Sequence, residues 1–175
     1  MLDDVFSQFA SDPTFDQSSD DAAMICDDGS TLEHGQIATA KNAVTFMTAG
    51  KAHVTLVSLS TNTRFTYRIN TSDDGRMRFV SVLSGPDNNA SYKYLGHVAI
   101  GREVYWHGRK SKIDEKAPSA RAFAWAWRQL NAGNLPAQLQ VWHEGRCGRC
   151  ARRLTVPSSI ATGFGPECAG KIGSM

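Results

Sequence analysis

The sequence predicts an α+β domain, a mostly antiparallel sheet with flanking helices, ending in a small treble-clef-like zinc module. Three observations carry this prediction. Period-two alternation of apolar and polar residues runs through the middle of the chain, and helical spacing lies before and after it. A Cys-x-x-Cys pair, Cys147 and Cys150, is followed by Cys168 with seventeen residues between. Three segments result: an acidic tail over 1–32, expected to be disordered, an α+β domain over 33–140, and the zinc module over 141–175.

The first helix is expected from His34 to about Met47, where Ile37, Ala40, Val44 and Met47 recur at spacings of three and four and Gly50 offers a stop. His53–Ser60 is a strand candidate with imperfect alternation. Over Arg64–Asn70 the pattern is cleaner: Phe65, Tyr67 and Ile69 point one way, Arg64, Thr66, Arg68 and Asn70 the other. Asp73-Asp74-Gly75 then turns the chain into a strand over Arg76–Leu83. Placing Met77 and Phe79 on the buried face puts Arg76 and Arg78 beside Arg64 and Arg68, so four arginines are expected on one open face. After the loop Gly85-Pro86-Asp87-Asn88-Asn89, short strands are expected at Tyr92–Leu95, His97–Ile100 and Glu103–Trp106. The second helix runs from about Pro118 to Ala132, with Gly133 at its exit. Phe123, Trp127 and Leu130 form its core stripe, while Arg121, Trp125 and Arg128 share another face at i, i+4 and i+7. Such an aromatic between two arginines could stack on a base, or pack under a neighbouring element with arginine stems covering it.

Charge is distributed unevenly. Residues 1–33 hold nine acids and no Lys or Arg, so the rest of the chain carries 19 basic residues against 8 acidic ones, a balance of +11. A body so basic is suited to an anionic partner. With 41% hydrophobic residues the chain can bury a core. No apolar run reaches the roughly 18–20 residues that span a bilayer. Asp3 and Asp4 stand where a secretory signal carries basic residues, and four cysteines in a non-secreted chain point to reduced thiols or metal. The expected location is the cytoplasm, with no membrane partner.

In the zinc module, a tight Cys-x-x-Cys turn presents Cys147 and Cys150 to one metal ion, and Cys168 follows Gly165-Pro166-Glu167, a turn leading into a short helix. Zn2+ is the expected ion. His143, four residues before Cys147, is the first choice of fourth ligand; Cys26 and a solvent or other donor are the alternatives. Between the knuckle and Cys168, Leu154–Val156 is expected as a small strand and Pro157–Ser159 as a turn. The metal is expected to be structural: the His-x-Glu…Pro-Cys-x-x-Cys order of zinc deaminases is absent, and no nucleophile motif, paired-carboxylate spacing or phosphate-cradling glycine loop is present.

The segment His143-Glu144-Gly145-Arg146-Cys147-Gly148-Arg149-Cys150, continued by Leu154-Thr155, Pro157, Ser159-Ile160 and Gly163-Phe164-Gly165-Pro166-Glu167-Cys168, resembles the C-terminal module of uncharacterised phage, prophage and mobile-element proteins. The resemblance extends upstream to about residue 50. It implies a mobile-element context in a bacterial host cell and nucleic-acid-related neighbourhoods; no activity comes with it. The leading functional expectation is a non-enzymatic accessory protein that binds nucleic acid through Arg64, Arg68, Arg76, Arg78, Arg121, Trp125, Arg128, Arg146, Arg149, Arg152 and Arg153. The alternative is an inhibitor or adaptor that binds a host defence or nucleic-acid-processing complex, in the manner of an anti-CRISPR protein. A metal-dependent nuclease using His107 is the least favoured reading.

Overall fold

The computed structural model describes residues 35–172 in full and, before them, the backbone of two short antiparallel strands, β1 (Met24–Ile25) and β2 (Thr31–Leu32). The rest of the acidic segment expected to be disordered, Cys26 included, lies outside the described residues. The first helix, α1 (Ala40–Thr48), begins later than the apolar spacing from His34 suggested. Thr39 caps it, its Oγ1 accepting the Asn42 N–H at 3.2 Å. The residues before the cap are drawn into extended pairing instead: Gln36 bridges Trp142, and the Ile37 N–H donates to the Val141 carbonyl at 2.8 Å.

Strands β3 (Lys51–Ser58), β4 (Thr63–Thr71), β5 (Met77–Leu83), β6 (Tyr92–Ala99) and β7 (Tyr105–His107) form an antiparallel meander. Helix α2 (Pro118–Asn131) then returns the chain to a strand the sequence reading did not foresee, β8 (Leu139–His143), which pairs antiparallel with β3. The six-stranded order is β7-β6-β5-β4-β3-β8. The two short strands expected over 92–100 are one strand, with a register shift opposite Val80 and Ser81 that leaves both Leu95 and Gly96 buried. Because β8 belongs to the sheet, the boundary expected between residues 140 and 141 falls inside a strand.

Both long helices pack on one face of the sheet, α1 against β3 and β4, α2 against α1 and β7. The face they cover holds Val54, Leu56, Tyr67, Ile69, Val80, Val82, Leu95 and Val98, all nearly inaccessible. Within this layer the Tyr67 ring meets Phe123 of α2 at 5.0 Å, and its hydroxyl donates to the Ser119 carbonyl at 2.7 Å. Burial accordingly pushes the Tyr67 phenol well up.

Register corrects the expectation of four arginines on one face. Arg68 is opposite Ser81 and Asn70 opposite Phe79, whereas Arg78 is opposite Thr71, on the parity of the buried Val80 and Val82. Arg64 and Arg68 therefore share the open face with Met77 and Phe79, and Arg78 points the other way. There one of its guanidinium nitrogens, Nη1, donates to both carboxylate oxygens of Glu103 at 2.9 Å. The cause lies in β5, which is apolar on both faces; the two valines bury more fully and so decide which side faces the helices. Trp125 is likewise buried at 6% exposure, which removes it as a stacking residue and leaves Arg121 and Arg128 exposed on α2 without it.

After β8 the chain makes the cysteine knuckle, a single bridge between Arg146 and Arg153, and the helices α3 (Pro157–Thr162) and α4 (Pro166–Ile172). The strand expected over 154–156 is reduced to that bridge, and the turn expected at Pro157 opens α3. Among the described residues, no helix is long and apolar enough to cross a membrane.

Candidate metal centre and basic surface

The candidate metal centre is positioned by backbone hydrogen bonds that close the knuckle on itself and tie it to the sheet. Cys147 N–H donates to Arg152 O at 2.9 Å, and Ala151 N–H returns to Cys147 O at 2.8 Å. Gly148 is bound on both sides: its N–H donates to Gly163 O at 3.1 Å, and its carbonyl accepts the Lys51 N–H of β3 at 2.8 Å. Beneath it lies the Phe46 ring at the end of α1, 5.5 Å from the His143 ring and 5.7 Å from that of Phe164. A Cβ on Gly148 would fall 2.8 Å from that ring, and one on Gly163, whose φ is 74°, equally close. The two glycines let the knuckle and the α3–α4 turn sit directly on the aromatic floor.

This brings Cys147, Cys150 and Cys168 together, their Sγ atoms all within 4.8 Å of one another. The Cys150–Cys168 separation is 3.7 Å. Tetrahedral coordination with metal–sulfur bonds of about 2.3 Å sets two thiolates roughly 3.8 Å apart. A disulfide would need about 2.05 Å. Burial raises the Cys147 thiol, but backbone hydrogen bonds from Gly165, Cys150 and Arg149 outweigh it and hold the group below its ordinary value. Cys168 is pushed the other way, by burial and then by the two neighbouring thiols. Three thiols this close resist ionising together unless a cation offsets the accumulating charge. Donor type, spacing and electrostatics therefore all fit one metal ion. Cys168 stands in the first turn of α4, as Gly165-Pro166-Glu167 led us to expect.

His143 does not join them. Its Nε2 donates to the Ile160 carbonyl at 2.7 Å, and its Nδ1 accepts the Gly145 N–H at 3.1 Å. Nε2 ties β8 to α3 and Nδ1 holds the turn after β8, so no lone pair is left for a metal. Burial pulls its pKa below the ordinary histidine value, with the Ile160 carbonyl opposing in part. The sequence spacing placed His143 near the knuckle correctly but could not show which way the imidazole turns. Among the described residues no fourth His, Cys, Asp or Glu completes the cluster.

Around the centre, Arg146, Arg152 and Arg153 are exposed and Arg149 is half-buried. Arg146 donates to the Ala151 carbonyl at 3.3 Å. The module also adjoins the open face of the sheet. Glu144 lies 3.5 Å from His53 of β3, whose ring meets Tyr92 of β6 edge-on at 5.7 Å. The Arg68 guanidinium sits 4.4 Å above the Tyr92 ring. Burial, then the Glu144 charge, push the Tyr92 phenol up to about 12 against the opposing pull of Arg68 and Arg146. Arg146 of the knuckle and Arg68 of the sheet thus act on the same ring. Arg64 lies farther along the same face of β4, exposed, and Arg76 is exposed in the turn before β5. His107, the residue considered for a nuclease, approaches the Ile113 carbonyl at 3.0 Å through Nε2.

Residues the sequence reading missed lie farther along that face: Phe79, Tyr94, His97 and Trp106. The signal for them was the doubly apolar β5, whose second apolar face had to emerge somewhere. In comparison with known proteins, residues 137–173, which hold the whole of β8 and the cysteine module, match the model of DUF6011, a family of unknown function. No curated protein and no solved structure matches the chain.

Proposed function

We propose that this chain is a non-enzymatic nucleic-acid-binding accessory protein, of the kind mobile elements deploy in a host cytoplasm, in which Zn2+ held by Cys147, Cys150 and Cys168 is structural. One observation carries the reading: all nineteen Lys and Arg residues lie between positions 41 and 171, against eight acids in the same span. The metal module displays four of those arginines at its turn, next to the sheet face that carries Arg64 and Arg68. A small metal-tied loop holds arginines at fixed spacing, which lowers the entropic cost of gripping successive phosphates. Zinc is favoured by the thiol-rich donors and by their near-tetrahedral spacing. Its part is to fix the knuckle and α4; no reaction step runs through it.

Fluorescence anisotropy with a labelled oligonucleotide tests the reading. Affinity should fall steeply with salt, and the pair Arg149→Ala, Arg152→Ala should reduce the logarithmic salt slope by about 1.4–1.8, the value for two lost phosphate contacts. A full chain, loaded with zinc and folded, that binds no nucleic acid at low salt sinks the proposal.

A further inference from the structure

We infer that the open face of β5, β6 and β7 is a stacking platform for the unpaired bases of single-stranded nucleic acid, an inference that rests on the nucleic-acid reading above and names its site. The register sets the geometry. Phe79 is opposite His97, and His97 is opposite Trp106, so three rings form one row across three strands. With adjacent strands about 4.8 Å apart, the row spans roughly 10 Å from Phe79 to Trp106. His97 and Trp106 lie nearly parallel, at 5.9 Å and 26°. Tyr94, one row away, meets Phe79 edge-on at 6.3 Å.

These rings are not core residues left over. Phe79 is 42% exposed and Trp106 39%, while their strand neighbours Val80 and Tyr105 face the helices. A soluble domain gains nothing in stability from holding Phe and Trp faces in water, and adjacent exposed aromatics mark a binding surface. Together with Arg109 and Lys110 the rings line a concavity of about 740 Å³, and no carboxylate is among its lining residues. Flat rings with cations at the rim match a polyanion whose bases are free to stack. In a duplex the bases are already stacked on one another, so the platform selects unpaired strands. The row leads through Tyr94 toward Tyr92, Arg68 and Arg146, giving the backbone a basic path to the metal module.

The test uses the full, zinc-loaded chain and three labelled probes: a 20-nucleotide oligo-dT, a blunt hairpin duplex and an oligoglutamate peptide. The single strand should bind at least tenfold more tightly than the duplex. Phe79→Leu and Trp106→Leu keep apolar bulk but lose the ring face. Each should weaken oligo-dT binding about five- to hundredfold, the range for one lost base stack, and leave the salt slope unchanged. Arg109→Ala with Lys110→Ala should instead lower the slope by about 1.4. Since both rings are exposed, Phe79→Tyr and Trp106→Phe should retain binding, which separates stacking from a folding defect. If both Leu variants bind oligo-dT as the parent does, the platform is wrong while the nucleic-acid reading stands. A parent chain that binds neither nucleic acid removes both. Preferential, Trp106-dependent binding of oligoglutamate overturns the inference in favour of an acidic protein partner.

Discussion

Adding one methyl group at Gly148 probes how tightly the metal knuckle is bound to the core. The new Cβ would lie 2.8 and 2.9 Å from two Phe46 ring carbons and 3.0 Å from the Phe46 carbonyl oxygen. Carbon atoms pack comfortably at about 3.5–4.0 Å, so relief requires a shift of roughly 0.7 Å. Phe46 cannot provide it: it is 1% exposed and flanked by the His143 and Phe164 rings. The knuckle must move, and the hydrogen bonds from Gly148 N–H to Gly163 O and from Lys51 N–H to Gly148 O then stretch. Overpacking of this kind costs about 1–3 kcal/mol, and each weakened hydrogen bond about 1 kcal/mol more. Gly148→Ala should therefore lose about 3–5 kcal/mol, read as a Tm lower by roughly 9–15 °C in the metal-loaded protein. Because Cys147 and Cys150 flank the displaced residue, metal affinity in a chelator competition should fall with it. Gly170→Ala is the control. It too lies close to a ligand, in α4, but its Cβ would meet nothing within 4 Å, so the change should be neutral or stabilising. In a Phe46→Leu background the cost of Gly148→Ala should shrink by about 1 kcal/mol or more. Equal melting points for the two glycine variants, or an undiminished cost in that background, would refute the docking argument.

Cys150→Ser should abolish stoichiometric metal binding, and hydrogen exchange should show lost protection over 145–172 with β4 and β5 still protected; one metal ion retained per chain would contradict the ligand set. His143→Gln should keep its metal yet lower stability by about 1–3 kcal/mol, since the imidazole bridges Gly145 and Ile160; metal loss as complete as in Cys150→Ser would show the histidine to be a ligand. Ala151 closes the knuckle at φ 60°, where a Cβ is strained. Ala151→Gly should stabilise the metal-loaded protein by about 0.5–1 kcal/mol, and a lower Tm would count against that strain. Tyr67, Tyr92, Tyr94 and Tyr105 are all the tyrosines of the chain, and burial raises every one, Tyr92 to about 12. Their neutral forms are thus favoured by folding: this stability is fully present below pH ~10 and is lost as pH rises through the folded values. Phenolate absorbance in the native protein should stay well below half its full change at pH 10; half-ionisation there, with circular dichroism still native, would be the contrary result.

How much of this was legible in the chain differs by element, for physical reasons. Helix α2 and strands β4 and β5 were readable because local signals agree there: Pro118 at a first turn, Gly133 at an exit, and strict alternation from Arg64 to Asn70. The cysteine cluster was readable because a metal knuckle is defined by residue type and short spacing. Its partners were not. Whether His143 turns toward sulfur or toward the Ile160 carbonyl depends on α3, a segment the sequence suggested only as a turn. Strand β8 escaped notice because Leu139, Val141 and His143 alternate for only five residues, and one buried position is a histidine. Its pairing with β3 is non-local, and nothing near it in sequence reports that.

The orientation of β5 shows why the open face of the sheet was harder still. Alternation in Met77-Arg78-Phe79-Val80-Ser81-Val82 supports either face as the buried one. Taking Met77 and Phe79 as core yields four arginines in a row, a surface that looks like a phosphate grip. Burying Val80 and Val82 yields two arginines and a row of rings. The second arrangement wins because β-branched valines fill the space beneath α1 and α2, whereas Arg78 at the strand's end finds Glu103. A strand apolar on one side gives away its orientation, and a strand apolar on both does so only through its neighbours. Here the neighbour is β6, whose His97 and Tyr94 emerge beside Phe79 on the side the helices leave open. The surface chemistry therefore changes in kind: from charge alone, which any polyanion satisfies, to charge with exposed aromatic faces, which a duplex cannot use and a single strand can.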